Sequence, residues 1–97
     1  MRSIAALIQR LPEGHSEGLY RGVRYGITKS SWNAGRSFKV FGRALDGSDF
    51  VSLNCYLTAG GEHLRPCEMS AEKVVAFLEQ VVVLTTSAAV RDSGSMD

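Results

Sequence analysis

The sequence predicts an α+β protein made of an N-terminal helix, an antiparallel meander sheet of four or five strands, and a C-terminal helix. Apolar residues recur with helical spacing near both ends of the chain. Between the ends they alternate with polar residues, as they do in strands that bury one face. Short turn sequences rich in Gly, Asn and Asp separate the alternating segments. We therefore expect one or both helices to pack on one face of a single sheet.

The first helix is predicted from apolar residues that share one helical face, namely Ile4, Leu7, Ile8 and Leu11. Ser3 is the predicted N-cap, and the Pro-Glu-Gly sequence at 12–14 ends the helix. The segment has no cleavage site typical of a signal peptide, so we interpret it as an amphipathic helix. The Gly-containing segment EGHSEG at 13–18 is expected to be a loop.

Alternating segments after this loop predict the strands. They comprise a short strand at 19–20, then strands around 23–28, 37–45, 49–58 and 63–66. Turns are predicted where Asn, Asp and Gly tolerate positive φ, at 33–36 (NAGR), 46–48 (DGS) and 59–62 (AGGE). Pro66 closes the last strand, because proline cannot donate to a central ladder.

The second helix is predicted to begin after Ser70, its N-cap, with Glu72 in the first turn. Its apolar stripe comprises Val74, Val75, Phe77, Leu78, Val81 and Val82. The β-branched residues that continue to Thr86 weaken the helix prediction there. We expect a single α+β domain over residues 1–86 and a flexible tail over 87–97, which is poor in large apolar residues.

Composition narrows the class of protein. At 97 residues with 44% hydrophobic and 22% charged content, the chain is typical of one globular domain. No apolar run approaches the roughly 18 residues of a membrane span, and no targeting signal is recognisable, so we expect a cytoplasmic protein without a membrane partner. Cys55 and Cys67 are expected to be free thiols in a reducing compartment, although a single disulfide between them remains open.

The positive charge is concentrated in one aromatic-rich part of the chain. Residues 20–43 contain six cations, five large aromatic residues and no Asp or Glu, although the formal net charge of the whole chain is +1. This asymmetry predicts an acidic partner, either nucleic acid or an acidic protein surface, or else pairing within the molecule. The predicted nucleic-acid contacts are Arg21, Arg24, Lys29, Trp32, Arg36, Lys39, Phe41 and Arg43.

Strand alternation predicts how these residues are placed. If the apolar positions face the core, one sheet face carries Arg24, Lys39, Phe41, Arg43, Phe50 and Tyr56. Cations interleaved with aromatic rings suit single-stranded nucleic acid, because cations bind phosphates and rings stack on bases. In the alternative arrangement, the first helix covers this face and buries its aromatic residues as a second small core.

The sequence predicts neither a metal site nor a cofactor. Cys55, His63, Cys67 and His15 lack the C-x2-C spacing that marks zinc ligands. Cys67 is the single weak candidate for a catalytic residue, because it precedes a helix N-terminus and lies near Arg65, and both features favour a thiolate.

Two resemblances are visible. The sequence YRGVR at 20–24 resembles the opening of plant AP2-type DNA-binding domains, which implies Arg21 and Arg24 as contacts, but the tryptophans that follow in those domains are missing here. The segments GVRYGIT, NAGRS, DFVSLN and RPCEM, within about 17–80, resemble small uncharacterised bacterial proteins often labelled peptide methionine sulfoxide reductase. That label implies a nucleophilic cysteine, for which Cys67 is the candidate. The Gly-Cys-Phe-Trp and paired C-x2-C motifs of the reductases are absent, so no catalytic residue is carried over.

The sequence therefore favours a small non-catalytic binding module that uses a basic, aromatic sheet face, with nucleic acid as the first partner hypothesis. A thiol-dependent redox enzyme using Cys67 and a structural module that forms homodimers are the alternatives.

Overall fold

The computed structural model describes residues 3–84 of the chain. Within this range it contains two helices and six strands. In chain order they are α1 (Ile4–Gln9), β1 (Gly14–Tyr20), β2 (Val23–Trp32), β3 (Ser37–Ala44), β4 (Phe50–Thr58), β5 (Gly61–Pro66), α2 (Ala71–Gln80) and β6 (Val82–Leu84). The predicted α+β class is confirmed. The predicted boundary at Thr86 and the tail over 87–97 lie outside the described residues.

The described strands form one antiparallel sheet in the order β5-β4-β3-β2-β1-β6. The first five strands follow one another as a meander, as predicted, and β6 returns to pair with β1. The described sheet therefore has six strands, more than the four or five that were predicted, and α2 is not the last described element.

β1 lies where the sequence predicted a loop followed by a two-residue strand. His15, Ser16 and Glu17 are polar, so they lack the apolar alternation that identifies a strand. β1 nevertheless pairs with β2 along its whole length, and its residues 17–19 pair with β6 on the other side. Backbone hydrogen bonds to two neighbours thus stabilise a strand that its side chains do not reveal.

β6 begins where the helical stripe was expected to continue. α2 ends at Gln80, and Val81 already has extended backbone angles, with φ −66° and ψ 136°. Val82 was predicted on the buried stripe, but it lies in β6 and is 59% exposed. β-branched residues prefer strands because their side chains are crowded in a helix, which explains the early end.

The turns have the backbone conformations that their sequences require. Between β1 and β2, Arg21 and Gly22 have φ of 52° and 79°, the positive values of a tight two-residue hairpin. The predicted turn at 33–36 is confirmed by positive φ at 33–35 and by a hydrogen bond from Arg36 N to Asn33 O. The predicted turn at 46–48 is confirmed by Gly47, with φ of 78°.

Both helices pack on the same side of the sheet, which we call the core face. Ser3 caps α1 and Ser70 caps α2, each by accepting a hydrogen bond from a backbone N–H, as predicted. Arg10, the residue after α1, donates to the backbone carbonyls of Leu78 and Val81 at the end of α2, at 3.2 and 3.3 Å. These bonds satisfy carbonyls that the end of a helix leaves unpaired.

One hydrophobic core lies between the sheet and the helices. Its centre is an aromatic cluster of Tyr20, Tyr25 and Phe77, with ring centroids 5.1 to 5.8 Å apart. Leu7 and Ile8 of α1 belong to the same core. The alternative in which the first helix covers the opposite sheet face is therefore wrong. Neither described helix has the length and hydrophobicity needed to cross a membrane.

The open sheet face as a candidate functional site

The side of the sheet opposite the helices, which we call the outer face, is uncovered in the described range. The strand alternation places on it His15, Glu17, Leu19, Arg24, Gly26, Thr28, Ser30, Trp32, Ser37, Lys39, Phe41, Arg43, Phe50, Ser52, Asn54, Tyr56, Thr58, His63, Arg65 and Val82. All six residues predicted to share one face lie here, so that placement is confirmed. The face combines exposed rings with cations.

The strand register arranges the outer face in rows that cross the strands. One row contains Trp32, Ser37, Tyr56 and His63, and the next contains Ser30, Lys39, Asn54 and Arg65. The following two rows contain Thr28, Phe41 and Ser52, and then Gly26, Arg43 and Phe50. Successive rows are about 6.8 Å apart, because each is two residues further along the strands. The first and third rows therefore hold rings, the second holds cations, and the fourth holds both a cation, Arg43, and a ring, Phe50.

The second row holds two cations that are free of acidic neighbours. Lys39 and Arg65 lie on opposite sides of Asn54 in the register, and neither forms an ion pair within the described residues. Both side chains are exposed. Their charges are thus available to an anion that crosses the middle of the outer face.

Aromatic rings and a guanidinium form a cluster near the β3–β4 turn. Phe41 and Phe50 have centroids 6.2 Å apart and planes inclined by 30°. The guanidinium carbon of Arg43 lies 5.9 Å from the Phe41 centroid, within the range of a cation–π interaction. Phe50 is 40% exposed, so one ring of this cluster is accessible to a flat ligand.

The charge of the outer face is strongly positive among the described strand residues. It carries Arg24, Lys39, Arg43 and Arg65, while Glu17 is its one acidic side chain in that set. Glu17 Oε1 lies 3.4 Å from an Arg24 guanidinium nitrogen, and both side chains are about half exposed. The pair neutralises Arg24 in part and leaves the other three cations uncompensated.

Two of the predicted contacts do not lie on the outer face. Lys29 shares the core face with Tyr25 and Ile27, and it is 8% exposed. Its Nζ donates to Leu11 O at 2.9 Å, which satisfies a carbonyl just after α1. Arg21 lies in the β1–β2 turn on the helix side, where its Nε is 3.3 Å from Gln80 Oε1.

The other two predicted contacts extend the outer face at its far end. Trp32 ends β2 and is 43% exposed, so it does not pack into a neighbouring strand as a buried residue would. Arg36 is exposed in the adjacent turn, where its Nε donates to Asn33 O at 3.3 Å. This end therefore provides the Arg36 cation beside the Trp32 ring of the first row.

The two cysteines lie on opposite sides of the sheet and are both free thiols. Cys55 has no exposed surface, and burial together with the charge of Glu62 raises the pKa of its thiol. Cys67 is half-buried, and the Asn54 amide donates to its sulfur at 3.7 Å. A disulfide between them would have to pass through the sheet.

The side chains considered for zinc are also dispersed. Cys55 faces the core from β4, and His15 lies on β1, which is three strands from β4 and four strands from β5, where His63 lies. His63 Nε2 is instead 3.0 Å from Thr58 Oγ1. Within residues 3–84 no group of His, Cys, Asp or Glu is arranged to hold a metal ion.

His63 and Arg65 belong to the outer face, but the sequence interpretation did not include them. The signal was present, because Leu64 of the predicted strand 63–66 is apolar and packs against the core. Its neighbours His63 and Arg65 therefore point to the other side. Applying the alternation to this short strand would have identified both.

An open depression of about 460 Å³ adjoins the cluster of Phe41, Phe50 and Arg43. It is lined by Arg43, Gly47, Ser48, Asp49 and Phe50. Asp49 Oδ1 accepts hydrogen bonds from Lys73 Nζ at 2.7 Å and from Phe50 N at 2.8 Å. The bond from Lys73 is the main reason that the pKa of Asp49 is lowered, so its carboxylate is ionised at neutral pH.

Comparison with known proteins identifies no class for this chain, since no protein family, curated protein or solved structure matches it.

Proposed function

We propose that this protein is a small non-catalytic binding module that takes single-stranded nucleic acid on its outer face. The observation that carries the proposal is that aromatic rings and cations are interleaved over successive rows of a sheet face that no described element covers. Lys39, Arg43 and Arg65 would bind phosphates, and Trp32 and Phe50 would stack on bases. Base stacking tolerates any sequence, because every base presents a flat π-face.

The shape of the face favours a single strand over a duplex. The major groove of B-DNA admits a helix or a two-stranded ribbon, and the outer face is a sheet of six described strands. Strands are about 4.8 Å apart, so the face is about 24 Å wide, about twice the width of that groove. A flexible single strand can instead lie across the rows and expose its bases to the rings.

Exposed rings also favour nucleic acid over an acidic protein surface. Cations alone would attract either partner. Two rings with about two fifths of their surface exposed, Trp32 at 43% and Phe50 at 40%, lie at opposite ends of the same face. Flat rings beside cations match the two chemical components of a nucleotide, the base and the phosphate.

Fluorescence anisotropy with a labelled oligothymidylate tests the proposal. We expect weak binding with little sequence preference that weakens as salt increases, because each neutralised phosphate releases counterions. Three to five phosphate contacts correspond to a loss of roughly 20- to 130-fold in affinity for a fourfold rise in salt. Lys39→Glu combined with Arg43→Glu should abolish binding without unfolding the protein, since exposed charge changes cost little stability.

Arg21→Glu is the matched control for Lys39→Glu, because both change the net charge by the same amount. Arg21 lies on the helix side, so reversing its charge should leave affinity nearly unchanged.

Phe41→Ala should weaken binding by roughly 1–3 kcal/mol if a base stacks on the cluster of Phe41, Phe50 and Arg43. Absence of salt-sensitive binding at low ionic strength would refute the proposal. Equal effects of Arg21→Glu and Lys39→Glu would show that net charge, and not the outer face, governs binding.

A further inference from the structure

The two edge strands of the described sheet, β5 and β6, differ in their protection against pairing with another chain. An edge strand exposes backbone N–H and C=O groups, and natural edges are usually protected by charged residues, Pro or a covering element. β5 contains Glu, His and Arg and ends at Pro66. Its Glu62 also accepts a hydrogen bond from Ile4 N of α1 at 2.8 Å. β6 (Val82–Leu84) contains neither a charged residue nor Pro.

The strand register determines which backbone groups of β6 point to its open side. In the two-residue hairpin of β1 and β2, the residues that flank the turn bond to each other. Alternate residues of β1, Leu19 and Glu17 among them, therefore direct their N–H and C=O groups to β6. Their partners there are Val82 and Leu84. Val83 lies between these two, so its own N–H and C=O point away from β1, where no described strand pairs with them.

The side chains at this edge of the outer face are apolar. Val82 is 59% exposed, and its register partner Leu19 is 37% exposed. Leu84 has the same orientation as Val82, because side chains alternate along a strand. The charged residue nearest in the register, Glu17, is paired with Arg24 at 3.4 Å. The edge therefore presents apolar surface without net charge to a neighbouring strand.

We propose that β6 pairs in antiparallel orientation with β6 of a second copy of this chain, about a two-fold axis centred on Val83. A two-fold contact requires a segment that is complementary to itself. Val83 meets this condition, because its N–H and C=O bond to the C=O and N–H of the partner's Val83. Val82 then lies opposite the partner's Leu84, and these apolar side chains pack together on the outer face.

A second copy fits this edge better than the remaining residues of the same chain or a charged partner. Residues 85–97 contain only two large apolar residues, Val90 and Met96, six positions apart. A second β6 offers three aliphatic residues in succession. An acidic or basic partner would find no uncompensated charge at this edge, because Glu17 and Arg24 already form an ion pair.

The pairing joins the two outer faces. The two-fold axis of an antiparallel pair is perpendicular to the sheet, so the outer faces of both copies lie on the same side of one sheet with twelve described strands, six from each copy. Each β6 contributes three residues, far fewer than the roughly 20–30 residues on each side of a standard stable interface, so the dimer is weak. This inference does not depend on the proposed function.

Sedimentation equilibrium without nucleic acid tests the dimer, from about 10 μM to about 1 mM, where weak interfaces dissociate. The average mass should rise with concentration from 10.5 kDa toward twice that value. Val82→Lys should weaken the dimer at least about tenfold, because it places one lysine from each copy beside the two-fold axis. Leu45→Lys is the matched control. Leu45 is 56% exposed and lies beside Gly26 on the same face, away from β6, so this variant should dimerise like the parent.

Hydrogen exchange of the Val83 amide identifies the strand that pairs. Exchange should be slower at the higher concentration in the parent and in Leu45→Lys, and fast at both concentrations in Val82→Lys. A monomer mass throughout would overturn the proposal. Slow exchange that is independent of concentration would show that the edge is covered within one chain, and a dimer in which the Val83 amide exchanges fast would place the contact elsewhere. Either result would also overturn the proposal, and none of these outcomes bears on nucleic-acid binding.

Discussion

The core face and the outer face of the sheet are built from alternating residues of the same strands, yet similar side chains have different roles on each. Lys29 on the core face is 8% exposed and donates to a backbone carbonyl next to α1. Lys39, paired with Ser30 on the outer face, is exposed and forms no ion pair in the described range. The position of a cation relative to the helices, more than its residue type, determines whether it serves folding or is free for a ligand.

The aromatic residues show the same contrast. Phe77 has no exposed surface and contacts Tyr20 and Tyr25 edge-on or tilted in the centre of the core. Phe50 packs against Phe41 and remains 40% exposed. Burial of apolar surface is the main favourable term in folding, so an exposed ring contributes less to it. A partly exposed ring such as Phe50 therefore stabilises the fold less than a buried ring does, and it is accessible to a ligand.

The largest expected effect tests whether the buried core ring stabilises the protein more than the partly exposed outer-face ring does. Phe77→Ala should destabilise the protein by about 3–5 kcal/mol, because it removes a fully buried ring and leaves a cavity. Phe50→Ala should cost less than about 1 kcal/mol, since the ring is partly exposed. Urea denaturation followed by circular dichroism measures both changes. Comparable losses in the two variants would mean that the outer face is a second structural core, as the alternative sequence interpretation held.

Much of the fold could be predicted because its signals are local. The N-caps Ser3 and Ser70, the turns at 33–36 and 46–48, and the alternation of β2 to β4 each depend on a few neighbouring residues. β1 and β6 were missed or misassigned, because their pairing joins residues 17–19 to 82–84 and is invisible in either segment alone. Long-range pairing of this kind is not encoded in side-chain periodicity.

The candidate site was predicted less completely, for a similar reason. Alternation placed Arg24, Lys39 and Arg43 on one face correctly. Selecting residues by charge added Lys29 and Arg21, whose partners Leu11 and Gln80 come from other elements of the fold. The Lys29 position has the same parity as Tyr25 and Ile27, so alternation already indicated the core face, and only the tertiary structure explains why a lysine is tolerated there.

Alanine substitutions at two glycines on neighbouring strands should have a smaller effect on stability. Each substitution is the control for the other, because the two added Cβ atoms would point to opposite faces of the sheet. A Cβ on Gly18 would point to the core and lie 2.9 Å from Val81 Cγ2 and 3.1 Å from the Val82 carbonyl oxygen. Gly18→Ala should therefore cost up to about 3 kcal/mol through overpacking. A Cβ on Gly26 would point to the outer face and meet His15 and Leu45 side chains at 3.4 Å.

Gly26→Ala should be neutral or slightly stabilising, because alanine loses less conformational freedom on folding than glycine. Thermal and urea denaturation of the two variants give the comparison. A destabilised Gly26→Ala variant beside an unaffected Gly18→Ala variant would reverse the assignment of the two faces.

The smallest expected effect concerns the two thiols. Cys55→Ser should cost about 1–2 kcal/mol, because it places a hydroxyl among Val51, Leu53 and other core residues while changing little in volume. Cys67→Ser should change stability by less than about 0.5 kcal/mol, since Cys67 is half-buried and bonds weakly to Asn54.

Burial raises the pKa of the Cys55 thiol, so this group has little thiolate at neutral pH and is also shielded from reagents. A thiol-specific chromogenic reagent should therefore react with one thiol in the native protein and with two after unfolding in urea, and Cys67→Ser should lose the native reaction. Rapid reaction of Cys55 in the native state would show that the core opens to solvent, and the contrast between the two faces would then hold only for the average structure.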